Sequence, residues 1–367
     1  MIYLDNASTT KPSKEVIQFL SENLENMYFN PSSLHESGLK VKNNINYAKD
    51  EILSLLNANG NFIFTSGGTE SNNIAIFGVA KQKSHIITSK LEHPSVIRVI
   101  ENLKSKNCKI DYVDLDENGD ICLQSLKSLI KEDTELVSIM HINNETGTIN
   151  DIKEIGKIVK LNSKALFHVD AVSSFGKHNI DMSYIDLLSV SSHKIHGPQG
   201  VGGLFIKKGV NIKPIFFGGH QQNSIRPGTE FSVGYLAFVF AAKSSYNDME
   251  SNLNYVAKLK ENLKNIEIQD ISINETKNSS PYILNISFFD TKGQVIVNSL
   301  SFKNILTSTG AACNDRSFNL LKNLGYSKKI YESAVRFSFS KYNTLEEIKE
   351  VKTNLIKIVD MIRHKKI

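Results

Sequence analysis

The chain has 367 residues, of which 40% are hydrophobic and 22% charged, with 21 Gly and 7 Pro. This composition excludes a wholly disordered chain, a collagen-like repeat and a long low-complexity linker, and the length suggests two domains or one large domain with an appendage. The net charge is only +5 and the basic residues are scattered, which reads as a solvated lysine-rich surface and not as a nucleic-acid face.

From the N-terminus, MIYLDNAST lacks the basic and apolar regions of a signal peptide. Short apolar runs then alternate with helical patterns. Residues 61–66 (NFIFTS) read as a strand and 69–81 as a helix. A strand is expected at 85–89, and a helix at 94–104 with Pro94 in its first turn. Strands follow at 109–114 and 135–142, and then a helix at 151–161 with Ile152, Ile155, Ile158 and Val159 on one face. Three further strands are expected at 165–171 (ALFHVDA), 186–192 and 201–207. Several of these runs are apolar on both faces, as strands between two helical layers must be. The alternation predicts an α/β fold with a mainly parallel sheet.

After about Phe240 the pattern changes. A helix, strands near 283–289 and 334–340, and an amphipathic helix at 345–363 capped by Asn343-Thr344 suggest a smaller α+β domain. The longest apolar run, near 235–242, is far too short to span a bilayer. Cys108, Cys122 and Cys313 form no CxxC pair and no zinc spacing, which fits a reducing compartment and no metal. A cytoplasmic protein without membrane or direct nucleic-acid partners is expected.

Three segments carry chemistry. Thr65-Ser66-Gly67-Gly68-Thr69-Glu70-Ser71 follows a strand and opens a helix, so its backbone N–H groups suit a phosphate. A plain tight turn is the alternative. Ser191-Ser192-His193-Lys194 ends a buried strand before a Gly/Pro turn, and burial there would lower the lysine's pKa and make its amine nucleophilic. Asp170 ends ALFHVDA at a strand's carboxyl edge, where α/β proteins bind ligands; an N-cap or structural hydrogen bond is the alternative. Together they are the parts of a pyridoxal phosphate site: a lysine for the Schiff base, a carboxylate for the pyridine nitrogen and a helix N-terminus for the phosphate.

With these motifs the sequence resembles the class V family of pyridoxal-phosphate enzymes, and within it the cysteine desulfurases of the nitrogen-fixation and iron–sulfur-assembly type. The resemblance runs through YLDNASTT, NPSS, TSGGTESNN, LEHPSV, MHINNETG, HVDA, SSHKIHGPQGVGG, RPGT, STGAAC and AVRFSFS, over nearly the whole chain. It implies a fold type I, aminotransferase-like large domain (13–245) with a seven-stranded sheet, and a small domain from 1–12 and 246–367. It implies that Lys194 carries pyridoxal 5′-phosphate and that Asp170 pairs with its ring nitrogen. His93 would stack on the ring and serve in proton transfer, while Gly68, Thr69, Ser191 and His193 would bind the phosphate, helped by Thr229 of a neighbouring subunit. Asn144 would contact cofactor or substrate and Arg336 would grip the substrate carboxylate. Cys313 would take sulfur from L-cysteine as a persulfide, releasing alanine, and an acceptor protein (an iron–sulfur scaffold or a tRNA thiolase) or a reductant would remove it. A homodimer is implied.

The chain departs from that pattern at Ser173, where the family usually has Gln against the phenolic oxygen; at a shortened loop after Cys313; and in stopping soon after its last helix. A class V aminotransferase or selenocysteine lyase is the second enzyme reading, and the Cys313 motif argues against the first of these. A low-activity cofactor-binding interaction module is the reading from another class.

Overall fold

The structure is a computed structural model describing residues 1–116, 119–310 and 320–364. The chain enters as β1 (Ile2–Tyr3). The main sheet comprises β2 (Gly60–Thr65), β3 (His85–Ser89), β4 (Lys109–Val113), β5 (Thr134–Met140), β6 (Leu166–Asp170), β7 (Leu187–Ser191) and β8 (Gly202–Lys207), in the spatial order β2-β8-β7-β6-β5-β3-β4. Only β8 runs against its neighbours; the other pairings are parallel. The expected α/β fold with a seven-stranded, mainly parallel sheet is what the chain forms.

Alternation decides which helices cover which face. Phe62 and Phe64, Val137 and Ile139, and Leu188 and Val190 point into one apolar cluster, while Ile63, Leu136 and Leu187 point into another. Successive side chains leave opposite faces of a strand, so the two clusters are the two sides of the sheet. The first is covered by α1 (Lys14–Asn23), α2 (Glu36–Leu55), α5 (Leu123–Leu129), α6 (Ile152–Asn162) and α7 (Ser232–Asn247); the second is covered by α3 (Gly68–Val79) and α4 (Pro94–Ser105).

A three-stranded antiparallel sheet follows, with β10 (Ile283–Phe288) between β9 (Ile271–Ile273) and β12 (Ala334–Ser338), while β11 (Ile305–Leu306) pairs with β1. The last helix, Leu345–His364, starts with a reciprocal cap: Glu347 N–H donates to Thr344 Oγ1 and Thr344 N–H to Glu347 Oε2, each 3.1 Å. The third apolar cluster draws its buried members from residues 2–4 and 256–359 alone. On that ground we propose the division into 13–245 against 1–12 and 246–367, with Leu320 packing across onto the larger core. Among the described residues no helix is long and apolar enough to cross a membrane, and no His/Cys/Asp/Glu group could hold a metal.

Phe238 of α7 is fully buried against Phe62, Phe64 and Phe175. Phe238→Ala should cost about 3–5 kcal/mol, read as a lower denaturant midpoint followed by far-UV circular dichroism; an unchanged midpoint would contradict this packing.

Candidate active site

The carboxyl ends of β5, β6 and β7 open onto a cavity of about 600 Å³. Its walls include Gly68, Thr69, His93, Asn144, Asp170, Ser173, His193, Lys194 and Arg336, so nine of the twelve residues singled out in the sequence meet at one place. Ser191 lies just beneath, fully buried. Thr229, expected to serve a neighbouring subunit, is exposed and does not line this cavity. Cys313 and the shortened loop after it lie outside the described residues. Cys108 is buried, and Cys122 caps α5 by accepting from Ser125 N–H, so both have structural roles.

Asp170 is the last residue of β6 and is almost fully buried. Its Oδ2 accepts from Asn72 Nδ2 at 2.7 Å and its Oδ1 from Val172 N–H at 3.0 Å. Asn72 stands one turn beyond Gly68 on α3, so the helix that opens at the Gly67-Gly68 turn also fixes the carboxylate. The same Nδ2 donates to Ser95 Oγ at 2.8 Å, and Ser95 Oγ lies 2.8 Å from His93 Nδ1. Ser95 N–H also donates to His93 Nδ1 at 3.1 Å. A backbone N–H can only donate, so Nδ1 is the bare nitrogen and the neutral ring carries its proton on Nε2. His93 faces open space yet is surrounded by protein, and that desolvation lowers its pKa. Taking up a proton at Nδ1 would break the cap it gives α4.

Lys194 ends the single turn Ser192–Lys194 that follows β7. Its Nζ donates to the carbonyls of Ala7 and Ser8, the latter at 2.8 Å. Burial, with Lys177 and Arg336 nearby, lowers its pKa to about 7 although Asp170 and Asp5 pull the other way. Arg336, on β12, is 2% exposed. Its Nη1 donates to Asn144 O (2.8 Å) and its Nη2 to Asp5 Oδ1 (2.8 Å) and Ser8 Oγ (2.6 Å), while Nε is buried without a partner among the described residues. Beside it Glu145 is pushed up to about 7 by burial. Asn72, Ser95, Asp5, Ser8 and Glu145 were not singled out in the sequence. All lie inside the motifs quoted above, and the i, i+4 spacing from Gly68 marks Asn72.

These residues fit pyridoxal phosphate at both ends. N-cap Gly67 offers no capping side chain to α3, which leaves first-turn N–H groups for an anion. Ser191 Oγ, without a partner among the described residues, is 3.8 Å from where a Cβ on Gly67 would stand. At the other end the held carboxylate of Asp170 suits a protonated ring nitrogen.

Comparison with known proteins agrees. The Aminotransferase class-V family model matches residues 2–351. The chain belongs to the class-V aminotransferase family. Members of this family typically use pyridoxal phosphate. A cysteine desulfurase of Trichormus azollae is 35% identical over 99% of this chain and 94% of its own. Cysteine desulfurase IscS of Dictyoglomus turgidum is 36% identical over 99% and 95%. Among solved structures, a NifS-like protein superposes with a TM-score of 0.93 at 33% identity, covering 98% of this chain and 99% of that one. SspA in complex with cysteine gives 0.82 at 30% identity, covering 94% and 100%.

A Cβ on Gly68 would stand 2.4 Å from Val172 Cγ2. Gly68→Ala should therefore weaken pyridoxal phosphate binding to the apoprotein by about tenfold, and adding Val172→Ala should restore most of it. Titration by cofactor absorbance checks this, with Val172→Ala alone as control. The rate at which the apoprotein captures pyridoxal phosphate should rise with pH through about 7, where the Lys194 amine loses its proton, and not only near the ordinary lysine value.

Proposed function

We infer that this enzyme is a cysteine desulfurase that uses pyridoxal 5′-phosphate to convert L-cysteine to L-alanine and passes the sulfur through Cys313 to an acceptor. The observation that carries this reading is the convergence of Lys194, Asp170 and Arg336 on one cavity in a chain whose full-length relatives are cysteine desulfurases.

The phosphate would be held by Gly68, Thr69, Ser191 and His193, the ring nitrogen by Asp170, and the aldehyde carbon by Lys194, with His93 against the ring. Bound there, the cofactor supplies an electron sink for negative charge at the substrate α-carbon. Asn72 and Val172 N–H keep Asp170 aimed. Arg336 grips the substrate carboxylate with the fork of its guanidinium. Lys194 Nζ, poised near neutrality, takes the proton from the α-carbon. His93 offers Nε2–H as a donor, which leaves Lys194 as the base. Ser173 and Asn144 complete the wall.

The Cys313 thiolate attacks the substrate sulfur. A sulfur–sulfur bond forms, the Cβ–S bond breaks with its electron pair going to carbon, and a proton completes alanine. A thiol of an acceptor protein, such as an iron–sulfur scaffold or a tRNA-thiolating enzyme, or of a reductant then takes the sulfur. We place this in a homodimer in the cytoplasm, with Thr229 reaching the partner's phosphate site.

The holoenzyme with L-cysteine and a thiol reductant should release sulfide and alanine in equal amounts. Cys313→Ala should abolish both and Lys194→Ala should lower both by at least about a hundredfold. Keto-acid formation that survives Cys313→Ala would favour an aminotransferase instead.

A further inference from the structure

One buried cation beside the site has no use in the reaction above. Lys177 ends the turn after β6. Gly176 before it has φ +67°, and a Cβ there would come within 3.0 Å of Ser245 Cβ and 3.1 Å of Ile195 Cγ2. The turn is therefore closed to larger residues and directs residue 177 inward. Lys177 is 9% exposed. Its ammonium stands 5.3 Å from the centre of the Tyr282 ring, and among the described residues it makes no hydrogen bond and no ion pair. It lines a void of about 10 Å³ together with Ser173, Lys194, Ser280 and Tyr282, a space on the scale of a single water.

The groups around it are accounted for. Lys194 shares the void. His178, bonded to Ser280 Oγ at 2.8 Å, and His193 and His196 are pressed down to about 3, 4 and 4 by burial, so they are neutral near pH 7. Arg336, Asp170 and Asp5 also act on Lys194. A lone buried ammonium is costly, and here its repulsion falls on Lys194.

We propose that Lys177 is a positioning residue for Lys194: an unpaired buried cation, set across a water-sized void walled by Ser173, that opposes positive charge on the Lys194 nitrogen and keeps its lone pair available. The short side chain of Ser173 leaves this space open between the two lysines. Burial holds Lys177 itself near 8, so it carries its charge at neutral pH while Lys194 is half-released.

The inference rests on Lys194 being the cofactor-bearing lysine. The test is a pH titration of cofactor absorbance in the holoenzyme, for the natural protein, Lys177→Met and Lys177→Gln. Both variants should move the midpoint of the Lys194–cofactor linkage upward by about one pH unit, because the protonated linkage loses its neighbour's repulsion. Lys177→Met should also unfold at a denaturant concentration no lower than the natural protein, since the removed charge has no partner to orphan. Midpoints that coincide with the natural protein, or a Met variant that fails to fold, would overturn the proposal and leave Lys177 a packing residue. A natural protein with no titrating cofactor band would overturn the cofactor reading itself, which is a separate and visible failure.

Discussion

A buried guanidinium must be answered, and the hydrogen bonds of Arg336 tie together three segments distant in sequence. Asp5 and Ser8 come from the N-terminal segment, Asn144 from the loop after β5, and Arg336 itself from the small antiparallel sheet. Removing one partner from such a cation leaves charge uncompensated in the interior. The N-terminal segment is therefore pinned. The carbonyls of Ala7 and Ser8 then lie where Lys194 Nζ can reach them, and Thr10 bonds His193 O through both its N–H and its hydroxyl at 2.8 Å. The proposed substrate grip and the proposed reactive amine are thus set by one strap of chain.

The opposite wall is built from the sheet. Asp170 and Ser191 end adjacent parallel strands, and α3 packs beneath them with its open N-terminus at the same edge. Asn72 links that helix to Asp170 and, through Ser95, to His93. Asp170, His93 and the Gly67-Gly68 turn are therefore fixed by regular elements, and Val172, next to Gly68, is the packing contact that sets how close helix and loop approach. Arg336 and Lys177 both oppose a proton on Lys194, while Asp170 and Asp5 favour one.

Much of this was legible in the chain. Runs such as HIITS and DLLSVSS are apolar at consecutive positions because helices bury both faces, and that places them in a central sheet. The single antiparallel strand, β8, was not legible, because strand direction is set by its pairing with β2 and β7 and not by side-chain pattern. Helix α2 was passed over although Val41, Ile45, Ala48 and Ile52 carry helical spacing, and the two-residue β1 and β11 are too short to leave a signal. At the site, lysine, aspartate and glycine turn were legible from local context. Asn72, Asp5 and Glu145 were not, because their roles exist only once distant segments meet. The void beside Ser173 likewise depends on Ser280 and Tyr282, more than a hundred residues away.

The central claim is that the amine held by the Ala7 and Ser8 carbonyls is the one that bonds the cofactor. Borohydride reduction of the holoenzyme followed by peptide mapping tests it directly. The account predicts one pyridoxyl group, on Lys194. A label on Lys177 or on a surface lysine, with Lys194 unmodified, would contradict it.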